Sequence, residues 1–475
     1  MYIFLTRVER SEVLSKYHSN CKRERIFAVL QNPKAKIHFV GAGGVGMYPL
    51  VKMSARRGYS VSASDREASA LTEKLTSEGC TVKTGHSADN ASGCDLLVYT
   101  LAAGEDNPEI LYAERSGIPT VSRAEYLGAL MEDYKVKIGV SGSHGKTTTT
   151  AMLDAVFAAA GKNPTTLLGA KISGIDSPLR CGSRDFMIYE ACEYKDSFLK
   201  FSPTLSVFTN LELDHVDYFK DLDSIKKSFL SAMNKSEISV VNFDDENLRG
   251  LSALAECKTV SCGMGVECDY QGEITEREKG KYNLKIRHGG REILDIPMSA
   301  PGKFNAMNAL MAASAAYEIG IAGADIERAL SIFLPPERRL EIIGEYKGVP
   351  VYYDYAHHPT EISAAIRAVK EITGGEAAVV FGPHTYSRTA GFMSEFAASL
   401  SLAKRVLLCE ISAIREEAIP GISSERLAGM IGSGAVTVSE DNVAAALGEP
   451  TESAIIIMGA ANLDKIKEKI LDSEA

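Results

Sequence analysis

Between Lys135 and Ala160 the chain runs VKIGVSG, turns through SHGK and leaves as TTTTAMLDAVFAAA. A short β-branched run that enters a glycine-bounded loop and exits into an apolar-periodic segment is a strand, a tight loop and a helix. Gly142 and Gly145 allow the backbone to curl so that successive N–H groups point inward and form a nest for phosphate oxygens. The helix that starts among Thr147 to Thr150 aims its positive end at the same point. Lys146 adds a full charge, and Thr147 adds a hydroxyl of the kind that binds Mg²⁺ in phosphate loops. Val140 stands where the strict pattern has a further glycine.

A chain of 475 residues exceeds one hydrophobic core, so two to four domains are expected. The net charge of −10 argues against a general nucleic-acid or membrane-surface role, although a nest and one lysine suffice for a local anion site. Nine cysteines, an odd number without a CxxC, read as free thiols in a reducing cytoplasm. Cys257, Cys262 and Cys268 are close in sequence but do not have the spacing of a zinc framework. No stretch reaches the ~18 apolar residues of a membrane span, and the N-terminus carries charges too early for a signal peptide. A cytoplasmic protein is expected.

Residues 1 to 34 read as a polar, partly helical leader. The strand IHFV then runs into GAGGVG and a helix, so Gly41, Gly43 and Gly46 form a GxGxxG fingerprint in its required context. Asp65 closes the next strand, where such folds place a ribose-binding acid. Taken alone, this fingerprint suggests a nicotinamide dehydrogenase. The first α/β unit ends near Asp133, and the second opens with the phosphate loop. Glu190 and His215 fall at or just beyond the ends of the strands DFMIYE and TLSVFTN, the crevice side of a parallel sheet, where a carboxylate and an imidazole can hold a metal. The segment RHGGREILDIP reads as a hairpin, and PGKFNAMNALMAASAAYEIG as an Ala-rich helix behind Gly302. Asn305 and Asn308 share a face of that helix, where they either pair with a purine edge or cap and pack. Pro335-Pro336 marks a linker, and the third unit again alternates strands with helices. His357, His358 and His384 all follow strands. If PHTYSRT continues extended, His384, Tyr386 and Arg388 share one face.

Eight segments in order resemble the Mur ligases of peptidoglycan synthesis: HFVGAGGVGM, GSHGKTTTTAM, EACEYKDSFLKFSP, TNLELDHVDYF, GKFNAMNAL, RRLEIIGE, YDYAHHPTE and PHTYSRT. They reach from about residue 36 to the end of the chain. The resemblance implies three α/β domains: an N-terminal Rossmann-like domain with its leader at 1–133, a central P-loop domain at 134–334 and a C-terminal Rossmann-like domain at 335–475. It implies an ATP-dependent, amide-bond-forming ligase of cell-wall precursor synthesis. Such an enzyme would activate the lactyl carboxylate of UDP-N-acetylmuramate as an acyl phosphate and join it to L-alanine.

On that resemblance Gly41, Gly43, Gly44, Gly46 and Asp65 would hold the UDP of the substrate. Gly142, Ser143, His144, Gly145, Lys146, Thr147 and Thr148 would hold ATP, with Thr147, Glu190 and His215 at magnesium. Asn305 and Asn308 would lie on the adenine side, and Arg339 and Asp354 would reach the nucleotide. Tyr355, His357, His384 and Arg388 would line the amino-acid pocket. ATP and Mg²⁺ are the implied cofactors, with neither nucleic acid nor membrane as partner and a monomer or homodimer as the assembly. Phe304, Thr385 and the segment EACEYKD depart from the family's commoner residues. The alternatives are a recycling ligase that attaches a whole tripeptide to the same sugar, a dehydrogenase resting on the first fingerprint alone, and a catalytically inactive nucleotide-binding regulator.

Overall fold

The computed structural model describes residues 24–472 except 105, 173, 176, 414, 415, 461 and 462. Most of the expected leader, residues 1–23, lies outside the described residues; 24–30 are helical. Three sheets follow in chain order. The first holds β1 (Lys36–Val40), β2 (Ser60–Asp65), β3 (Thr81–Thr84), β4 (Leu96–Tyr99) and β5 (Thr120–Ser122) in the order β3-β2-β1-β4-β5. Every pairing is parallel. Parallel strands need crossovers, which helices such as Tyr48–Arg56 and Pro108–Arg115 supply. The order reverses at β1, so its carboxyl end opens a crevice between β2 and β4.

The central sheet has ten strands: β6 (Val136–Ser141), β7 (Thr165–Ile172), β8 (Ser177–Arg180), β9 (Phe186–Glu190), β10 (Leu205–Phe208), β11 (Ile238–Asn242), β12 (Lys258–Gly263), β13 (Tyr270–Glu278), β14 (Lys281–His288) and β15 (Arg291–Pro297). Their order is β15-β14-β13-β12-β11-β10-β6-β9-β7-β8, which places β6 at the reversal between β10 and β9. The expected hairpin is β14–β15, antiparallel, turning at Gly289 and Gly290 with positive φ. Helix Lys303–Glu318 follows Gly302, and its run of buried alanines lies against helix Lys146–Ala159 in one apolar core. Small side chains permit that close approach.

The third sheet runs β16-β17-β21-β18-β19-β20, from β16 (Glu341–Tyr346), β17 (Val349–Asp354), β18 (Ala377–Phe381), β19 (Arg405–Leu408), β20 (Ala435–Thr437) and β21 (Ala454–Met458). Only β16–β17 is antiparallel. The loops after β17 and β18 flank β21 at the carboxyl edge and face the central domain. One expectation fails there. Tyr386–Gly391 is a helical turn entered through Thr385 at φ 65°, so His384, Tyr386 and Arg388 do not alternate along a strand. Thr385 caps that turn by accepting the Arg388 N–H, a local bond that wins over extension.

Candidate active site

The loop between β6 and helix Lys146–Ala159 has the geometry its glycines allow. Gly142 and Gly145 sit at φ 142° and 80°. A Cβ on Gly142 would lie 2.0 Å from Thr209 Oγ1, and one on Gly145 would lie 2.5 Å from Asn308 Oδ1. The neighbours therefore close on the loop as tightly as glycine permits. Thr209 Oγ1 donates to the His144 carbonyl at 2.6 Å, and Asn210 takes the His144 N–H at 2.7 Å while donating to its carbonyl at 3.0 Å. The residues after β10 thus brace the loop from one side. Val140 in place of a glycine costs nothing, because it is an interior residue of β6 and wholly buried.

Lys146 turns back over the loop. Its Nζ donates to the carbonyls of Gly142 and Ser143 and to both oxygens of Glu193, at 3.0 and 3.1 Å. Burial works against the lysine's charge, but Glu193 outweighs it and holds Lys146 above its ordinary range. Glu193 is wholly buried, and His215 Nε2 lies 3.5 Å from it on the other side. His215 is held in the left-handed region at φ 52°, its N–H on Asp214 Oδ1 at 2.7 Å and its ring against Tyr194 at 4.7 Å. Strain of that kind costs of order 1–3 kcal/mol and persists only where the surroundings impose it. Glu190 ends β9 beside Val140 and accepts the Gly169 N–H at 2.6 Å. Sequence reading selected Glu190 and missed Glu193. The two share one segment: Glu190 ends β9, and Glu193 stands just before the kink at Lys195 and Asp196, both with positive φ.

A cavity of about 1010 Å³ joins the crevice of the first sheet to this site. Gly41, Gly43, Gly44, Gly46 and Asp65 line one end, and Glu190 and Cys192 the other. Asp65 Oδ2 takes the Gly43 N–H at 2.7 Å, so this acid also shapes the fingerprint loop. Two cavity residues were not foreseen. Arg123 lies over Gly46, 3.2 Å from where a Cβ would stand, and brings a cation to the fingerprint. His86 is held by Glu109, which is buried behind it and accepts from His38 Nε2 at 2.8 Å, Ser64 Oγ at 2.6 Å, Asn90 Nδ2 at 2.9 Å and His86 Nδ1 at 3.0 Å. Burial opposes the Glu109 charge, but these donors pull its pKa down to about 2. Neither residue belongs to a recognisable motif, and only the fold brings them to the crevice.

The C-terminal domain meets the phosphate loop directly. Arg339 Nη2 donates to Thr147 Oγ1 at 3.1 Å and stacks over Tyr355, 5.1 Å from its ring. Asp354 accepts the N–H groups of Leu340 and Ala356, each at 2.7 Å, so it fixes the turn that carries Arg339. Burial raises Asp354 to about 6 against the opposing charge of Arg339. Desolvation pushes the partly buried His357 down to about 4, so it is neutral at pH 7. Arg388 crosses to the central domain and donates to Asp214 Oδ1 at 2.6 Å. Asn308 Nδ2 donates to Asn305 Oδ1 at 3.3 Å and Asn305 Nδ2 to the Pro301 carbonyl at 2.7 Å, which makes the pair a buried brace under the loop. His384 bridges to Ser412 on the same edge.

Three domain descriptions match in order: Mur ligase family, catalytic domain, over residues 36–135; Mur ligase middle domain over 140–316; and Mur ligase, glutamate ligase domain over 338–461. A UDP-N-acetylmuramate–L-alanine ligase from Caldicellulosiruptor bescii is 40% identical over 396 residues, 82% of this chain and 87% of that protein. Another, from Caldanaerobacter subterraneus subsp. tengcongensis, is 37% identical and covers 92% of this chain and 97% of its own. Among solved structures, the UDP-N-acetylmuramate–alanine ligase of Thermotoga maritima superposes with a TM-score of 0.78 at 27% identity, covering 92% of this chain and 99% of that one. A murein peptide ligase from Psychrobacter arcticus has the same fold, with a TM-score of 0.71, 22% identity and coverage of 92% and 98%.

Proposed function

The chain belongs to the Mur ligase family, and from that premise we propose that it joins L-alanine to the lactyl carboxylate of UDP-N-acetylmuramate in an ATP-dependent reaction. It is an ATP-dependent ligase of peptidoglycan precursor synthesis. The observation that carries the substrate assignment is the single cavity that runs from the diphosphate-type fingerprint at Gly41 to Gly46 into Glu190, beside the phosphate loop. A ligand bound by its nucleotide diphosphate at one end presents its other end to the ATP site.

The chain's residues divide the work. Gly41, Gly43, Gly44 and Gly46 with Arg123 take the UDP diphosphate, and Asp65 shapes their loop. Residues Gly142 to Thr148 take the phosphates of ATP, and Asn305 and Asn308 back the loop on the nucleotide side. Lys146 releases the loop carbonyls and meets the transferring phosphoryl group, where positioning and charge supply most of the catalysis. Thr147, Glu190 and His215 would hold Mg²⁺; hydroxyl and carboxylate oxygens are the hard donors it takes, and the bound ion neutralises phosphate charge. Arg339 reaches Thr147 from the third domain, and Asp354 fixes its turn. Tyr355, His357, His384 and Arg388 form the edge that receives alanine, where the neutral ring of His357 adds no positive charge beside the attacking amine. The amine attacks the acyl phosphate, phosphate leaves, and an amide remains. Apposition of the third domain keeps water from that intermediate. The proposed divisions are 1–133, 134–334 and 335–475, and the proposed setting is the cytoplasm.

Incubating the protein with ATP, Mg²⁺, UDP-N-acetylmuramate and either one amino acid at a time or a tripeptide, and measuring phosphate, tests the assignment. Release with L-alanine above all other amino acids supports it. Release only with a tripeptide, or none with any acceptor, overturns it.

A further inference from the structure

Where the central and C-terminal domains meet, His144 of the phosphate loop stands between two carboxylates. Its Nε2 lies 3.1 Å from Glu212 Oε2 in its own domain, and its Nδ1 lies 3.2 Å from Glu361 Oε1 in the other. A neutral imidazole has one N–H and satisfies one acceptor, so two facing carboxylates require the imidazolium. Burial opposes that charge, and Glu361 and Glu212 overcome it, lifting the His144 pKa to about 9. His358 packs its ring on His144 at 4.6 Å and is kept neutral by burial and by the His144 charge. Thr360 Oγ1 adds a second crossing to Glu212 Oε2 at 2.7 Å.

His144, Glu212 and His358 also have ligand atoms within 4.8 Å of one another, the approximate spacing of a metal site. The ring planes decide against it. At 4.6 Å between centroids and a tilt of only 37°, the two imidazoles run side by side and do not converge on an ion within the ~2.0–2.1 Å reach of an imidazole–zinc bond. The arrangement suits a protonated imidazole between two carboxylates, not a metal ion.

We propose that His144 is a positioning residue: a charged connector that ties the phosphate loop to the C-terminal domain, so that docking of that domain and the ordering of the ATP loop are one event. The connector is built on both sides. Glu361 is the third residue of helix Pro359–Thr373, where it also caps the N–H groups of His357 and His358 at 3.0 and 3.3 Å. Its position is therefore fixed by the helix start. His144 is fixed by Asn210 and Thr209. Remove the imidazolium and Glu212 and Glu361 face each other with no cation between them. The docked state then becomes the unfavourable one, and the edge carrying Tyr355, His357 and Arg388 leaves the phosphate site. Docking stands on the geometry alone; its consequence for alanine rests on the ligase reading above.

The test uses the full chain with Mg²⁺ and a non-hydrolysable ATP analogue. Small-angle scattering reports docking independently of turnover. Glu361→Gln keeps the helix cap but cancels the cross-domain charge, and His144→Gln removes the connector. Both are expected to give a larger radius of gyration than wild type. In turnover both should raise the alanine KM by roughly 5- to 150-fold, with the UDP-N-acetylmuramate KM within about twofold of wild type. The triple variant with Glu212→Gln, Glu361→Gln and His144→Gln replaces repulsion by neutral hydrogen bonds and should compact again. Unchanged scattering for both single variants overturns the proposal, and so does opening that the triple variant fails to reverse. A wild-type protein that shows no alanine-dependent phosphate release but opens in Glu361→Gln would instead remove the ligase reading and leave the connector standing.

Discussion

Arg388 Nη2 donates to Asp214 Oδ1 at 2.6 Å, which joins the turn after β18 to the loop after β10 in a different domain. Both side chains are nearly closed to solvent, at 11% and 5% exposure. Burial favours a neutral Asp214, but the guanidinium outweighs it and holds the carboxyl below its ordinary range. Asp214 in turn accepts the His215 N–H, so the pair links the edge proposed for alanine to a residue proposed for magnesium through one carboxylate. One arm of the guanidinium is committed in this way; the others remain for a substrate carboxylate.

Arg388→Ala is therefore expected to act twice. Stranding buried Asp214 should cost about 3–5 kcal/mol of stability, seen in a denaturant melt. Loss of a charge-assisted contact should raise the alanine KM about 10- to 150-fold with the ATP KM nearly unchanged. Asp214→Asn keeps the guanidinium and should leave alanine affinity the less affected of the two. If steady-state kinetics show the ATP KM moving in Arg388→Ala while alanine stays put, this turn serves the nucleotide.

Lys146 and Glu193 form a second buried pair, and they separate catalysis from stability. Lys146→Met should lower phosphate release by roughly 10²–10³, the typical cost of one electrostatic donor at a reacting centre. It should also destabilise the fold, because Glu193 is left charged and wholly buried. Adding Glu193→Gln should return most of the melting temperature and none of the rate. Recovery of the rate in that double variant would show that Lys146 serves only to neutralise its neighbour.

Local chemistry made some of this legible from sequence and tertiary placement hid the rest. The two glycine loops announce themselves because only glycine allows their backbone, and β6, β9 and β10 announce themselves as apolar runs. Asp65 and Glu190 are legible as crevice residues because carboxyl strand ends face it, and both line the cavity, whereas His215 lies beside Glu193. Arg388 was found, but its geometry was misread: Thr385 caps a helical turn, so alternation along an extended strand does not apply. Glu193, Arg123, His86 and Glu109 were missed. Each acts through a partner 22 or more residues away, at Gly46 for Arg123 and through hydrogen bonds or ion pairs for the others, so no short motif can contain the pair.

Gly142 is the residue at which the loop tolerates least. An alanine there meets both φ 142° and Thr209 Oγ1 at 2.0 Å. Gly142→Ala should abolish binding of an ATP analogue, measured calorimetrically, while UDP-N-acetylmuramate still binds the first domain. Retained nucleotide affinity would mean that the nest is not the phosphate site.

The first domain should bind UDP-N-acetylmuramate and not NADH, although its fingerprint alone suggests the reverse. The cavity runs on from the fingerprint to Glu190, and Arg123 adds a cation beside Gly46. Arg123→Ala should weaken UDP-N-acetylmuramate by roughly 10- to 150-fold, the worth of a charged hydrogen bond, and leave the ATP analogue untouched. NADH titrating as tightly as the UDP-sugar would reverse the assignment.

The pH dependence of the first domain should follow Glu109. Its folded pKa near 2 lies below the ordinary carboxylate value of 4.5, so the folded state favours the ionised form. The stability that results, roughly 3 kcal/mol, is complete above about pH 4.5 and is lost as pH falls toward 2. Glu109→Gln cannot ionise and offers one acceptor oxygen to His38, Ser64, Asn90 and His86 where the carboxylate offers two. It should melt lower at pH 7 and show a flatter acid limb. His86 also loses the carboxylate that orients its ring toward the cavity, so UDP-N-acetylmuramate binding should weaken in step. A variant with wild-type melting across pH 2–7 would mean that this buried carboxyl is neutral in the folded protein, and that its hydrogen bonds are those of an acid, not of an anion.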